Sequence, residues 1–137
     1  MWDLDDTASY AKVASFDFPW ASTYADMRPG HTDKEKRERV RAIAANQLPS
    51  SIPHAKWWAF RIFVRKAGGR PFDIENTLKV FIDSFSARQI RSDASQYQTV
   101  ALYEDDTVDH VRIIQVGGER TSSNESTRVE IFAKIEN

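Results

Sequence analysis

WWAFRIFVRKAGGRPFDIENTLKVFIDSFSA, residues 57–87, joins a segment typical of a strand to one typical of a helix. Residues 57–65 mix alternation with aromatic and β-branched side chains, which predicts a strand with one well-buried face. Gly68 and Gly69 turn the chain, and Pro71 stands near a favoured position in the first turn of a helix. The segment therefore predicts a strand followed directly by a helix.

The helix predicted from Pro71 has two contrasting faces. At 100° per residue, one stripe is apolar and contains Ile74, Leu78, Phe81, Ile82 and Phe85. A band on the other side is polar and contains Glu75, Asn76, Lys79 and Asp83. Carboxylates one turn apart repel each other, so the band raises the free energy of the helix unless a partner offsets it. A divalent cation with oxygen ligands is one such partner.

The remaining elements predict a small α+β fold. Strands are expected at 12–18, 108–116 and 127–135, and a charged helix at 32–47. The last two strands are expected to form an antiparallel hairpin with a long loop, 117–126. The predicted order is β-α-β-α-β-β, with two helices packed on one face of a mixed or mostly antiparallel sheet.

Two polar segments are expected to be solvated. Thr32 and Glu35 have the spacing of a capping box, and the basic residues of the helix that follows are expected to face water: Lys34, Lys36, Arg37, Arg39 and Arg41. Residues 86–99 have the composition of a mobile loop.

Composition limits the classes of protein that need to be considered. With 137 residues and 41% hydrophobic residues, we expect one domain, 1–137, with an acidic, solvated N-terminal arm at 1–11. No cysteine is present, which excludes disulfides and thiol chemistry. No apolar run has the length of a membrane span or of a signal segment, so a cytoplasmic protein is expected. The net charge of −1 means that any nucleic acid must be held by a local basic patch.

A second acidic cluster follows the helix by about thirty residues. Glu104, Asp105 and Asp106 come directly after a short apolar segment, Val100–Tyr103. Two or three carboxylates converging from separate elements are what a Mg²⁺ site requires. The residues alone leave two interpretations open, a metal site or two solvated acidic surfaces.

The spacing of both clusters resembles a known family. Asp73-x-Glu75-Asn76-x-x-Lys79-x-x-x-Asp83-x-Phe85, followed by Glu104-Asp105-Asp106, is similar to the DxDNxxKxxxDxL…DD pattern of RusA-type Holliday-junction resolvases. Phe18-Pro19-Trp20 after the first strand and the order of the later elements also match, over residues 12–136. The resemblance implies a homodimeric, Mg²⁺-dependent endonuclease, with Mn²⁺ as the alternative ion, that resolves four-way DNA junctions in recombination and repair by paired nicks.

The resemblance also implies roles for individual residues. Asp73, Glu75 and Asp105 would ligate the metal, with Asp106 as the alternative to Asp105, and Lys79 would face the scissile phosphate. Asn76 would brace the metal carboxylates and Asp83 would orient Lys79. Arg70 would contact DNA phosphate, and Arg61 and Arg65 would extend that basic patch.

Departures from the family pattern, among them Glu75, together keep a second hypothesis open. Glu75 stands where the family usually has aspartate, and its extra methylene shifts the carboxylate oxygens. The alternative is a small DNA-binding or protein-interaction module that retains the fold without cleavage.

Overall fold

The computed structural model describes residues 2–21, 33–68, 74 and 78–135. Its elements, in chain order, are strand β1 (Tyr10–Phe18), helix α1 (Asp33–Ala45), strand β2 (Trp58–Lys66), helices α2 (Leu78–Ser84) and α3 (Ala87–Ser92), a 3₁₀ turn (Gln98–Val100), and strands β3 (Val111–Arg120) and β4 (Ser126–Lys134). The α+β class is confirmed. The number of helices differs from the prediction, because α3 lies in the segment expected to be a loop.

The four strands form one mixed sheet in the order β1-β4-β2-β3. Strand β4 is antiparallel to both β1 and β2, whereas β3 is parallel to β2. The predicted hairpin between the last two strands is therefore wrong. Strand β4 is the more completely buried of the two, with Val129, Ile131 and Ala133 at 0% exposure, and a central position satisfies both of its hydrogen-bonding edges. Strand β3 takes the edge, where Ile114 and Val116 are exposed.

The loop between β3 and β4 is shorter than the sequence suggests. Strand β3 continues through Gly117 and Gly118 to Arg120. A Cβ at Gly118 would lie 2.6 Å from Cδ1 of Ile74 and 3.0 Å from the carbonyl oxygen of Val64. Gly118 therefore allows close approach of Ile74 to the sheet, which is a packing role rather than a turn.

The helices cover one face of the sheet through a core rich in aromatic side chains. Phe81 of α2 lies 5.1 Å from Phe18 of β1, and Phe85 lies 6.2 Å from both Phe16 and Phe60, measured between ring centroids. These five side chains are at most 1% exposed. Burial of each phenylalanine stabilises the fold by about 2–3 kcal/mol relative to exposure, so the apolar stripe holds α2 firmly on the sheet.

The N-terminal segment packs on the other face of the sheet. Leu4 is buried against Tyr10, Ala59 and Phe132, and its neighbour Asp5 pairs with Arg61 at 3.1 Å. The N-terminal segment is therefore attached to the sheet through Leu4, while most of its other side chains are exposed, as expected for an acidic arm. An apolar side chain within the acidic run provides the contact that holds the segment to the sheet.

The basic helix α1 is also less solvated than predicted. Arg41 is fully buried, Lys36 is buried, and Arg37 is largely covered, because acidic and carbonyl acceptors from other elements surround them. Arg39 stacks over the ring of Trp20, with its Cζ 4.6 Å from the ring centroid. The expected solvation is therefore wrong for Lys36, Arg37 and Arg41, whereas Lys34 and Arg39 are exposed as predicted.

Helix α3 occupies the first half of the segment expected to be a mobile loop, 86–99. Ser86 caps it, since its hydroxyl oxygen accepts a hydrogen bond from the backbone N–H of Gln89 at 3.3 Å.

Among the described residues, no helix combines the length and apolar character needed to cross a membrane.

Candidate functional site

A polar pocket lies between α2, α3 and the acidic segment that precedes β3. It has a volume of ≈ 400 Å³ and is lined by Lys79, Asp83, Ser86, Arg88, Gln89, Ser92, Asp105 and Asp106. Three carboxylates and two cations therefore surround one cavity. We call it the carboxylate pocket.

Helix α2 sets the positions of Lys79 and Asp83. Its buried residues include Val80 and Phe81, which pack in the core, while Lys79 and Asp83 line the pocket. The ammonium nitrogen of Lys79 lies 3.4 Å from Oδ2 of Asp83, as the (i, i+4) spacing predicts. The side chain of Asp83 is 12% exposed and that of Lys79 is 69% exposed. Asp83 therefore lies at the base of the pair and Lys79 reaches toward solvent.

Backbone hydrogen bonds fix the acidic segment against the junction of α2 and α3. The N–H groups of Ala87 and Arg88 donate to the carbonyl oxygens of Tyr103 and Glu104 at 2.8 and 2.9 Å. The Tyr103 hydroxyl donates to the carbonyl oxygen of Ile82 at 2.5 Å. These bonds order a segment without regular secondary structure, and they bring Asp105 and Asp106 beside α2.

Asp83 and Asp106 interact directly within the pocket. Burial raises the pKa of Asp83, the ammonium group of Lys79 opposes that rise, and the charge of Asp106 and a hydrogen bond with it raise the pKa further. Two interacting carboxylates, of which Asp83 is buried and Asp106 is exposed, disfavour double ionisation, and a cation near them would relieve their repulsion. The two acidic clusters of the sequence are thus adjacent in space at these residues.

Asp105 is held in a different environment from Asp83. The backbone N–H of Asp106 donates to its Oδ1 at 2.9 Å, and Nη1 of Arg88 donates to its Oδ2 at 3.0 Å. The bond from the Asp106 N–H, followed by the bond from Arg88, lowers the pKa of Asp105. Asp105 is therefore ionised and oriented by α3, a helix that the sequence analysis did not predict.

A buried ionic cluster around Asp93 connects α1 to the two helices that line the pocket. Arg37 donates two hydrogen bonds to Asp93, both of 2.7 Å, and Arg41 donates a third of 2.9 Å. Arg41 also donates through Nε to the carbonyl oxygen of Ser84 at 2.7 Å. Burial raises the pKa of Asp93, but the hydrogen bonds from Arg37, Arg41 and Gln89 outweigh it and lower the pKa to about 2. The cluster joins α1 to the ends of α2 and α3.

The predicted site residues fall into three groups. Lys79, Asp83, Asp105 and Asp106 line the carboxylate pocket. A second group, Arg70, Asp73, Glu75 and Asn76, lies outside the described residues.

The third group lies on the opposite face of the sheet. Arg61 donates to Glu130 at 2.8 Å and to Asp5 at 3.1 Å, and its guanidinium carbon is 5.1 Å from the Phe132 ring centroid. Arg65 pairs with Glu119 at 3.1 Å. Alternation along β2 therefore separates both arginines from the carboxylate pocket.

The donor set of the pocket suits a hard cation. In the described part of the chain, no three acidic or histidine side chains are close enough together to hold a metal ion. Mg²⁺ in phosphoryl-transfer sites, however, is commonly held by one or two carboxylates, with waters and substrate phosphates as its other ligands. Asp105 and Asp106, which line the pocket, meet that smaller requirement and offer oxygen donors alone.

The signals for this site were present in the sequence to different degrees. The (i, i+4) spacing of Lys79 and Asp83 predicts their ion pair, whereas Arg88 and Ser86 were missed because the segment around them was interpreted as a loop. Ser86-x-x-Gln89 has the spacing of a capping box, and this was the available signal for α3.

The chain matches no protein-family profile and no curated protein.

Proposed function

We propose that this protein is a Mg²⁺-dependent, structure-selective endodeoxyribonuclease of the RusA type that resolves four-way DNA junctions. The observation that carries the proposal is the convergence of two acidic clusters at Asp83 and Asp106, beside Lys79. The RusA-like spacing of these residues suggests phosphodiester cleavage as the reaction. The residues that would carry it line one pocket. Mn²⁺ is the alternative ion.

The proposed metal site combines described and undescribed residues. Asp106 or Asp105 would contribute one ligand, and Asp73 and Glu75 would complete the set. A bound Mg²⁺ would polarise a phosphoryl oxygen and lower the pKa of a coordinated water. Asp83 would act as a positioning residue that holds the Lys79 ammonium group at the pocket mouth.

Lys79 would bind the phosphate at which cleavage occurs. Its side chain is exposed and its charge is fixed near the acidic pair, so it can neutralise negative charge that develops on the phosphoryl oxygens. Arg88 of α3 lines the pocket and is exposed, and Arg91 is a second exposed cation of the same helix; they pair with Asp105 and Glu104. Arg70 is retained as a phosphate contact, whereas Arg61 and Arg65 are left out because they lie on the opposite face of the sheet.

A homodimer would complete the DNA-binding surface. The chain has a net charge of −1, so binding depends on local neutralisation of a few phosphates. Two patches related by a two-fold axis suit a junction whose arms are themselves related by symmetry. Affinity for a junction is then expected to fall steeply with salt, and Arg70→Ala is expected to make that dependence shallower.

Two loop aspartates give a matched test of the site. Asp106 lines the carboxylate pocket, whereas Asp109 is an exposed aspartate three residues later that does not line it. Asp106→Asn is expected to reduce Mg²⁺-dependent cleavage of a four-way junction by at least roughly tenfold. The substitution removes either a metal ligand or a negative charge directly beside the ligand Asp105. Asp109→Asn is expected to cleave like the wild type.

Three results would count against this assignment. If the two variants cleave equally well, the pocket is not the active site. If the wild type binds junctions but never cleaves them, the DNA-binding module is favoured. If it binds neither junction nor duplex at low salt, the nucleic-acid assignment fails.

A further inference from the structure

A second pocket lies on the sheet face that the N-terminal segment covers. Its volume is ≈ 290 Å³, and its lining includes Trp2, Tyr10, Trp57, Arg112, Ile113 and Lys134. Three aromatic rings and two cations thus surround one small cavity. We call it the aromatic pocket.

The aromatic rings of this pocket are held in defined positions. Tyr10 and Trp57 meet edge to face, with centroids 5.7 Å apart and an interplanar angle of 69°. Trp2 is 71% exposed, but its backbone carbonyl accepts a hydrogen bond from Nε2 of Gln115 at 2.8 Å. Burial of Leu4 two residues later also fixes the segment. An exposed indole is therefore kept at the rim of a cavity whose wall is already aromatic.

The two cations retain capacity to bind an anion. The guanidinium carbon of Arg112 lies 5.8 Å from the Trp57 centroid, and the Lys134 ammonium nitrogen lies 5.9 Å from the Tyr10 centroid. Their hydrogen bonds go to the carbonyl oxygens of Val108 and Ile135, at 3.0 and 3.1 Å. Within the described residues, neither cation forms an ion pair with a carboxylate. Most of the N–H donors of the two side chains therefore remain available.

Asp6, whose negative charge acts on Tyr10, is hydrogen-bonded within its own segment. Asp6 accepts hydrogen bonds from the backbone N–H of Ala8 at 3.1 Å and from the Ser9 hydroxyl at 3.0 Å. These bonds engage both of its carboxylate oxygens within the N-terminal segment.

We propose that the aromatic pocket binds a nucleotide, with the base against the aromatic rings and the phosphate on Arg112 and Lys134. An apolar ligand would bury these cations without a partner, which is costly, and a simple anion would make no use of the rings. A planar ring that carries a phosphate matches both features. The ligand is a free nucleotide or an unpaired nucleotide of a single strand. This inference does not depend on the proposed nuclease activity.

Tryptophan fluorescence provides a direct test, because Trp2 and Trp57 line the pocket. The full chain is titrated without divalent metal with AMP, adenosine, inorganic phosphate and a short oligodeoxyadenylate. We expect saturable quenching by AMP at lower concentration than by adenosine, and no quenching by phosphate. A tighter complex with the oligonucleotide than with AMP identifies a strand as the source, and an equal or weaker one identifies a free nucleotide.

Matched variants distinguish the pocket from general charge. Arg112→Ala is expected to weaken AMP binding roughly tenfold or more, whereas Arg120→Ala, an exposed arginine on the same strand, is expected to change it little. Trp2→Ala removes an exposed ring and provides a second variant with little risk to folding. Equal binding of AMP and adenosine, equal effects of the two arginine variants, or no saturable signal would overturn the proposal.

Discussion

The buried cluster around Asp93 predicts a measurable dependence of stability on charge. Asp93→Asn keeps the size and one acceptor oxygen of the side chain but removes its charge. Arg37 and the fully buried Arg41 would then lose the carboxylate of Asp93, although Nη1 of Arg41 would keep its hydrogen bond to Glu38 at 2.9 Å. Among the described residues, Nη2 of Arg41 has no hydrogen-bond partner, so the guanidinium group has little with which to replace the lost bond.

The expected magnitude follows from the pKa of Asp93. Burial raises this pKa, but the hydrogen bonds from the arginines and Gln89 outweigh burial and lower it from 3.8 to about 2. The net shift corresponds to about 2 kcal/mol of unfolding free energy at neutral pH. Protonation and the asparagine substitution remove the same charge, so they should have similar effects. Loss of one partner of a buried pair costs about 3–5 kcal/mol. Since asparagine retains an acceptor, we expect a loss of about 2–3 kcal/mol.

The sign of the pH dependence is fixed by the direction of the shift. A carboxylate whose folded-state pKa is lowered stabilises the protein above its unfolded pKa, and this contribution is lost as pH falls toward the folded pKa. The contribution of Asp93 should therefore be complete above about pH 5 and lost toward pH 2. Glu130, whose pKa is lowered to about 2 chiefly by its hydrogen bond with Arg61, titrates in the same window in both proteins.

Urea unfolding at several pH values between 7 and 3 provides the assay, with Asp109→Asn as the control. The difference in unfolding free energy between the wild type and Asp93→Asn should be largest at pH 7 and should shrink as the solution is acidified. A difference below about 1 kcal/mol at pH 7 would contradict the reasoning. So would a difference that stays constant across the pH series.

Three further substitutions separate stability from function. Tyr103→Phe removes the hydrogen bond to the carbonyl oxygen of Ile82 and should lower the unfolding free energy by about 1 kcal/mol, measured by urea unfolding; an unchanged midpoint would argue against a role for that bond. Arg61→Ala should cost about 2 kcal/mol through loss of its bonds to Glu130, yet leave junction affinity unchanged in a gel-shift assay; weaker DNA binding would return Arg61 to the DNA surface. Ser86→Ala should cost about 1 kcal/mol by removing the cap of α3, again by urea unfolding; no loss would mean that the cap is dispensable.

Local patterns predicted the elements whose formation depends on near neighbours. The apolar stripe from Ile74 to Phe85 predicted a helix that starts at Pro71, and among the described residues α2 (Leu78–Ser84) buries the expected Phe81 and Ile82. Alternation predicted β1, β2 and β4 to within about two residues at each end. The ion pair of Lys79 with Asp83 followed from helical spacing. Each of these features is set within one element, so a single segment contains the information.

Features that depend on distant segments were not predictable in the same way. Strands β3 and β4 both alternate, and consecutive strands often pair, but insertion of β4 between β1 and β2 depends on which strand can bury both of its edges. Arg41 was predicted to face solvent, because its partner Asp93 lies 52 residues away and no local pattern indicates their contact. Helix α3 is the exception, since Ser86 and Gln89 gave a local signal.

The acidic site was predictable in outline. Two clusters were expected to approach each other, and Asp83 and Asp106 do so. Its full ligand set stays a prediction, because Asp73 and Glu75 lie outside the described residues. Arg61 and Arg65 were assigned to the DNA surface by their proximity in sequence, whereas strand alternation directs them to the other face of the sheet.

Mapping of cleavage on a fixed four-way junction tests the central proposal most directly. The wild-type protein is incubated with end-labelled junction and with linear duplex, in Mg²⁺, Mn²⁺, Ca²⁺ or EDTA. The proposal predicts paired nicks at symmetrical positions on two opposing strands of the junction in Mg²⁺ or Mn²⁺, and intact duplex throughout. Junctions that remain intact in both Mg²⁺ and Mn²⁺, or cleavage that proceeds equally in EDTA, would contradict it.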